Sequence, residues 1–293
     1  MDSASTDISP SQRLKTLLEK CRAVAAPGCH DPLGAMLIEQ AGFEALSLSG
    51  YSVAASHGKP DIGLLSGSQM AEHASRVAQA VSIPLVADAD TGYGGVSNIA
   101  QTVIDYERNA VAALHLEDQV NPKRCGAMAS KALASIEEMS QRIRTAVATR
   151  KEMLIIGRTD ALTIAGLDEV ILRCKHMADD GVDAVMVPSL SSLEDIEKVV
   201  RQAPVPVIHT VAETVRPLFT QAQLASTGLG MVLYSISLIQ AIVQVQQIIL
   251  AELKEHGSTA SMVSRMTPLS KITELLGAQR YAAFETKIIS EGR

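Results

Sequence analysis

Short apolar runs along this chain end in glycine, proline or a polar residue. Each is followed by a longer stretch with apolar side chains every three or four positions. Eight such runs, at residues 23–26, 45–50, 83–87, 112–116, 153–157, 184–187, 205–208 and 231–234, read as strands. Helical spacing precedes the first run at 11–21, where Leu14, Leu17 and Leu18 share a face. It returns at 32–42, 70–81, 98–109, 136–150, 167–181, 193–202 and 221–226, and long helices fill the remainder. The first strand is expected to stop at Pro27-Gly28. The stretch 51–68, rich in small residues and holding Gly58-Lys59-Pro60-Asp61, reads as a long lid loop, and 120–128 as a second loop. Ser135 with Glu138 forms a capping-box pattern ahead of the helix at 136–150.

Continuous apolar runs are the mark of parallel strands buried on both faces. Eight of them alternating with helices, at about 25–35 residues per unit, match a (β/α)₈ TIM barrel. The rival, a doubly wound open sheet, is disfavoured because no G-x-G-x-x-G follows the first strand. The expected organisation is a disordered start over 1–10, a barrel over 11–240 and a helical extension over 241–293. In such barrels the strand C-termini form one mouth. Ser49, Asp88, Asp90, Glu117, Arg158, Ser189, His209 and Ser235 are therefore expected to converge.

Composition narrows the picture. Hydrophobic residues make up 47% and aromatics 3%, with no Trp, so the core must be Ala, Val, Ile, Leu and Met. A net charge of -6 and the lack of a Lys/Arg cluster argue against a nucleic-acid surface. Residues 235–253 are strongly apolar, but Gln240, Gln244, Gln246 and Gln247 interrupt them, which suits a buried or intersubunit helix and not a membrane span. The four cysteines show no CxxC spacing, so a reduced, cytoplasmic setting is expected. The acidic N-terminus is unlike a signal or transit peptide.

Asp88 and Asp90, spaced i,i+2 at a strand end, point the same way and need a cation or a shared proton. The bland reading makes one a helix cap and leaves the other solvated. With Glu117 they form an all-oxygen cluster suited to Mg²⁺ or Mn²⁺, unless Glu117-Asp118 is a solvated loop pair. Arg158 either neutralises that cluster or clamps a substrate carboxylate. Cys125, beside Lys123 and Arg124 and before Gly126, is a candidate activated thiol or a small hydrophobe. His115, flanked by apolar residues, reads as a packed histidine and not a ligand. His57 and His73 show no partner in the sequence.

Three motifs resemble the isocitrate lyase/phosphoenolpyruvate mutase superfamily: Val86-Ala87-Asp88-Ala89-Asp90-Thr91-Gly92-Tyr93-Gly94, Leu116-Glu117-Asp118-Gln119 running on to Lys123-Arg124-Cys125-Gly126, and Arg158-Thr159-Asp160-Ala161. The resemblance spans residues 15–290. It implies a barrel whose last helices are swapped between subunits of a homotetramer. It also implies Mg²⁺ near Asp88, with Asp90 and Glu117 acting partly through water. Ser49, Gly50 and Tyr51 with Arg158 would hold a 2-oxo or 2-hydroxy carboxylate, completed by Gly126, Thr210 and Ser235. Asp61 would sit on the lid, Lys123 would join the catalytic set with Glu117 and Arg158, and Cys125 would protonate the departing enolate. The implied reaction is retro-aldol cleavage of a small 2-hydroxy or 2-oxo dicarboxylate, as in methylisocitrate or dimethylmalate lyases.

Departures from that pattern leave the substrate open. Ala127 stands where such lyases continue K-R-C-G with His, and Ser189 where they carry Glu. Thr210-Val211-Ala212 replaces Asn-x-Thr, although Glu213 remains, and Ser235 replaces the Pro of Leu-Tyr-Pro. A serine at Ser235 is also similar to the oxaloacetate hydrolases. The stretch Asn121-Pro122-Lys123-Arg124-Cys125-Gly126 resembles the carboxyphosphonoenolpyruvate mutase branch, although that branch too keeps the histidine, and the departures taken together suit a carboxylate-binding member without turnover.

Overall fold

Eight parallel strands close into a barrel in chain order. They are β1 (Val24–Cys29), β2 (Leu46–Leu48), β3 (Leu85–Asp88), β4 (Ala113–Glu117), β5 (Leu154–Arg158), β6 (Ala184–Pro188), β7 (Val207–Thr210) and β8 (Met231–Tyr234). The computed structural model describes residues 8–125 and 131–291. Around the barrel run α1 (Pro10–Glu19), α2 (Pro32–Gln40), α3 (Gly50–Ser56), α4 (Gly67–Ala78), α5 (Val96–Arg108), α6 (Ile136–Thr149), α7 (Leu162–Ala165), α8 (Leu167–Asp179), α9 (Leu193–Gln202) and α10 (Gln221–Ser226). After β8 come α11 (Ser237–His256), α12 (Leu269–Leu275) and α13 (Ala278–Glu291).

The period-2 pleat sorts the strand residues between two cores. Val86, Ala113, Ile156, Met186 and Ile208 fill the barrel interior, and Leu14, Leu17 and Leu18 of α1 pack into the same cluster. Ser11 of α1 donates to the Ala112 carbonyl just before β4, which fixes the helix at the N-terminal end of the strands. The alternate residues, such as Ala87, Leu114, Ile155 and Val185, face the helices and meet Ile38, Met70 and Val103. Each fully buried aliphatic side chain contributes about 1.5–3 kcal/mol, so the aromatic-poor composition is no obstacle to a large core.

Four sequence expectations are corrected. The first strand does not stop at Pro27-Gly28 but runs to Cys29. Pro27 is the last residue in register with β8, and pairing to β2 begins at Gly28, so the ladder tolerates its missing N–H at the changeover. The lid stretch opens as helix α3, because the Ser49 side chain caps it by accepting from the Ser52 amide. The next helix starts at Gly67 and not at 70, set by reciprocal Ser66–Gln69 capping. Order begins before residue 11, since Ser9 caps α1 with Gln12 returning the bond.

Gly28 is held by a close approach. A Cβ there would lie 2.3 Å from the Ser235 carbonyl oxygen, which is backbone and cannot swing aside. Gly28→Ala is expected to cost about 3 kcal/mol of stability, read as a lowered urea midpoint at unchanged slope. A variant as stable as the parent would show that the β8 end yields freely.

The chain divides into two compact units, Met1–Ile239 and Gln240–Arg293. Within the second, Leu250, Leu269, Phe284 and Ile289 are each more than three-fifths exposed. Among the described residues no helix is long and apolar enough to cross a membrane.

Candidate active site

The pleat that fills the barrel interior also aims the strand ends at one mouth. Asp88 follows Val86 on the inner face of β3, Glu117 follows Ala113 on β4, and Arg158 follows Ile156 on β5. Asp88 is pinned on both oxygens: Oδ2 accepts from the Gly50 amide at 3.1 Å and Oδ1 from the Asp90 amide at 3.0 Å. Gly50 is the only fit at that distance, since a Cβ would stand 2.7 Å from Asp88 Oδ2. Tyr106, fully buried on α5, donates to the Asp88 carbonyl at 2.8 Å and ties the strand end to the outer helix layer.

Cations and carboxylates interlock around Asp88. Arg158 pairs with Glu117 and with Asp160, each at 3.0 Å. Lys123, almost wholly buried, is ion-paired with Asp61 and lies 2.7 Å from Asp90. Burial alone would raise Asp88, yet His115, Lys123 and Arg158 hold it well below the usual carboxyl range. Burial lowers His115 to about 4 despite Asp88 nearby, so at neutral pH the two cations carry that effect. Burial, reinforced by Asp88, pushes Asp90 up to about 7 against the pull of Lys123. Burial likewise raises Glu117 against Arg158. Burial opposes the charge on Lys123, but Asp90, Asp88 and Glu117 push its pKa up and keep it protonated.

Asp90 therefore gives a pH signature. Its carboxyl sits at about 7 in the fold against an ordinary 3.8, so proton uptake favours the fold and that advantage is lost as pH rises between those values. Without divalent metal, Asp90→Asn is expected to gain about 2 kcal/mol relative to wild type between about pH 5.5 and about pH 8, measured by urea unfolding in EDTA. A difference independent of pH would remove the raised carboxyl.

A cleft of about 720 Å³, counted to its open mouth, receives Ser49, Tyr51, Asp61, Asp88, Lys123, Cys125, Arg158, Thr210 and Ser235. Gly126 and Ala127 lie outside the described residues. Gly50, Asp90 and Glu117 do not line this cleft. Gly50 and Asp90 border a smaller hollow with Asp61. His209 also departs from expectation: on the outer face of β7, it meets the Val187 carbonyl and lines a neighbouring hollow. His115 is packed, at 5% exposed, yet it is not remote from the site. It shares the inner face with Glu117, lies 3.5 Å from Asp88 and lines the cleft. His57 and His73 do have partners, each other's rings at 5.8 Å and, for His73, the His30 carbonyl.

The Glu117-Asp118 pair is not solvated, being 1% and 0% exposed. Asp118 accepts from Thr159, Arg173 and the Asp160 amide, and so braces β4 against β5 and α8. Gln119, to which the motif assigns no role, binds both the amide and the carbonyl of Arg124 at 2.9 Å and reaches Asp160. It anchors the loop that presents Lys123 and Cys125.

Among the described residues no three His, Cys, Asp or Glu side chains are grouped to cage a metal ion, because Lys123 occupies the space between Asp61 and Asp90 and Arg158 engages Glu117. The residues nevertheless fit Mg²⁺, which keeps several waters and takes one or two carboxylates together with substrate oxygens. Asp88 faces the cleft in its ionised form, and among the described residues the buried Glu117 Oε1 has no hydrogen-bond donor.

A closed parallel barrel with carboxylates and buried cations at its C-terminal mouth defines a barrel enzyme. The phosphoenolpyruvate phosphomutase family model matches residues 14–254. The chain belongs to the isocitrate lyase/phosphoenolpyruvate mutase superfamily and is an enzyme of the carbon–carbon lyase type. It is 33% identical to a 2-methylisocitrate lyase of Aeropyrum pernix over 95% of this chain and 91% of that one. It is also 33% identical to a 2,3-dimethylmalate lyase of Eubacterium barkeri, over 95% and 98%. A solved oxaloacetate acetylhydrolase bound to 3,3-difluorooxalacetate superposes with a TM-score of 0.90 at 32% identity, covering 96% of this chain and 97% of that one. A phosphonopyruvate hydrolase bound to oxalate and Mg²⁺ does so with 0.87 at 31%, covering 96% and 99%.

Proposed function

We propose that this chain is a Mg²⁺-dependent lyase cleaving a small 2-hydroxy or 2-oxo dicarboxylate by retro-aldol chemistry. The reading rests on one observation: an ionised Asp88, the Arg158 guanidinium, Ser49 and the Cys125 thiol share a single cleft. Asp88, with Asp90 and Glu117 through water, would hold Mg²⁺, which supplies Lewis acidity at the substrate hydroxyl. Ser49, Tyr51 and Arg158 would hold the 2-hydroxy acid end, and the Gly50 amide, which donates to Asp88, would position that carboxylate beside it. The C2–C3 bond breaks as the hydroxyl becomes a carbonyl and its proton passes to solvent at the open mouth of the cleft. The electron pair passes to C3, is delocalised into the adjacent carboxylate, and takes the proton of Cys125 Sγ. Lys123 fixes Asp61 and Asp90, and Thr210 and Ser235 complete the pocket.

Purified protein assayed with Mg²⁺ is expected to release pyruvate from dimethylmalate, to lose activity in EDTA and to regain it with Mg²⁺. Methylisocitrate, oxaloacetate and phosphonopyruvate are the comparison substrates. Silence with all four, together with Mg²⁺-dependent thermal stabilisation by oxalate, would overturn turnover and leave a binding protein. Ser235 favours a second reading: it lines the same cleft as Arg158, where it could contact a hydrated oxaloacetate. Oxalate and acetate formed from oxaloacetate would transfer the assignment to a hydrolase.

The exposed Leu250, Leu269, Phe284 and Ile289 support a further part of the proposal, that the C-terminal helices pack on neighbouring copies in a homotetramer. Sedimentation equilibrium is expected to give about four chain masses. A monomer at micromolar concentration would overturn the assembly.

A further inference from the structure

The turn that carries Asp88 and Asp90 out of β3 is backbone under constraint. Asp90, Gly92, Tyr93 and Gly94 have positive φ, at 47°, 92°, 60° and 148°. Asp90 and Tyr93 are not glycine, and such residues persist in that region only where their surroundings hold them. Within the barrel, the Gly92 amide donates to the Ala89 carbonyl at 2.8 Å and the Glu117 amide to the Asp90 carbonyl at 2.9 Å. The Asp90 amide bonds the Asp88 carboxylate itself. The conformation of the turn and the aim of that carboxylate are therefore tied together.

The rest of the hold comes from outside the barrel, where α5 presents Ile99, Thr102 and Tyr106 on one face. Ile99 lies 2.3 Å from where a Cβ on Gly92 would stand, and the Thr102 hydroxyl donates to the Gly92 carbonyl at 3.4 Å. Tyr106 reaches furthest. β2 is in register with β3 as far as Ala87, so the Asp88 carbonyl lies past the end of that ladder, and the Tyr106 hydroxyl donates to it at 2.8 Å. At the other end of the turn the Tyr93 ring packs on Gly67, where a Cβ would lie 2.9 Å from it, and the Tyr93 hydroxyl lies beside that of Tyr106. One phenol thus meets both ends. It is wholly buried and does not line the cleft.

We propose that Tyr106 is a positioning residue for the metal site: from outside the barrel its hydroxyl holds the turn in the conformation that presents the Asp88 and Asp90 carboxylates for Mg²⁺. For the metal, though not for the turn, this rests on the Mg²⁺ reading above. Without the hydroxyl the Asp88 carbonyl loses its donor, the turn relaxes, and the carboxylates must be gathered anew each time the ion binds.

The test uses Tyr106→Phe, which removes the hydroxyl and keeps the ring, beside Val199→Ala, a buried position on α9 beyond β6. Mn²⁺ binding to the substrate-free protein is followed by loss of the free-ion electron paramagnetic resonance signal. Kd is expected to rise about 10-fold to 100-fold in Tyr106→Phe and to stay within about twofold of wild type in Val199→Ala. The Mg²⁺ concentration that half-saturates turnover is expected to move by the same factor, with kcat recovered at saturating ion. An unchanged Kd in Tyr106→Phe, or an equal rise in both variants, would overturn the proposal. Amide exchange in EDTA reads the turn without metal. The amides of Asp90, Gly92 and Glu117, which bond within it, are expected to exchange at least about tenfold faster in Tyr106→Phe than in Val199→Ala. Equal rates would overturn the hold on the turn. A wild type that binds no Mn²⁺ would sink the Mg²⁺ reading, and the exchange rates would then decide whether Tyr106 holds the turn.

Discussion

Arg158→Met is expected to lower stability by about 3–5 kcal/mol and to abolish turnover. Both effects follow from the same two bonds. The guanidinium neutralises Glu117, which is 1% exposed, and Asp160, which is 2% exposed. Asp160 keeps Gln119 and Lys131 as partners after the substitution. Among the described residues Glu117 then keeps only the charge of Lys123, with which it forms no ion pair, and it is expected to take up a proton, so the deficit shrinks as pH falls from about 8 to about 5. Urea midpoints at those two pH values check this. Arg158→Lys should recover part of the stability but little activity, since an ammonium cannot span two carboxylates as the planar fork does. A methionine variant as stable as wild type would show that the pairs only offset the cost of burial.

Cys125→Ser is expected to lower kcat by about 10²–10⁴ with KM little changed, because the serine hydroxyl is a far weaker acid at the same place. The side chain lines the cleft, and its loop is fixed by Gln119 at Arg124 and by the ion pairs of Lys123. The substitution should therefore leave the melting temperature within a degree or so, and the loss should appear in single-turnover rates of pyruvate release and product protonation. Full activity in the serine enzyme would sink the proposed acid role.

The barrel is legible in the sequence because its strands are two-sided and buried. Runs such as Leu154-Ile155-Ile156 and Ala184-Val185-Met186-Val187 have no polar face, and eight of them alternating with helices predict the parallel sheet that closes into the barrel. Helix starts are misplaced where a side-chain cap sets them, at Ser49 and Ser66, since such caps compete with loop conformations that the pattern of apolar residues does not register. Pro27 misleads because its cost depends on which neighbour the strand pairs with at that residue.

At the mouth, residue type is legible and pairing is not. Lys123 and Arg124 suggest an electropositive loop around Cys125, but Lys123 turns inward to Asp61 and Asp90. The apolar flanks of His115 hide its place in the cleft. Counting by two from Glu117 puts it on the inner face, as the same count from Thr210 puts His209 outward on the strand between them. Which cation meets which carboxylate is set by loops returning across the barrel, and no local spacing encodes that.

The cleft is charged where Asp88, Lys123 and Arg158 line it and apolar where Ala212 and Leu233 do, which bears on handedness. A substrate whose hydroxyl faced Asp88, whose acid group faced Arg158 and whose third substituent faced Ala212 and Leu233 would be held at three points that cannot be exchanged. Its mirror image would satisfy only two of them at once, so a racemic substrate of one diastereomer would be consumed to half and then stop.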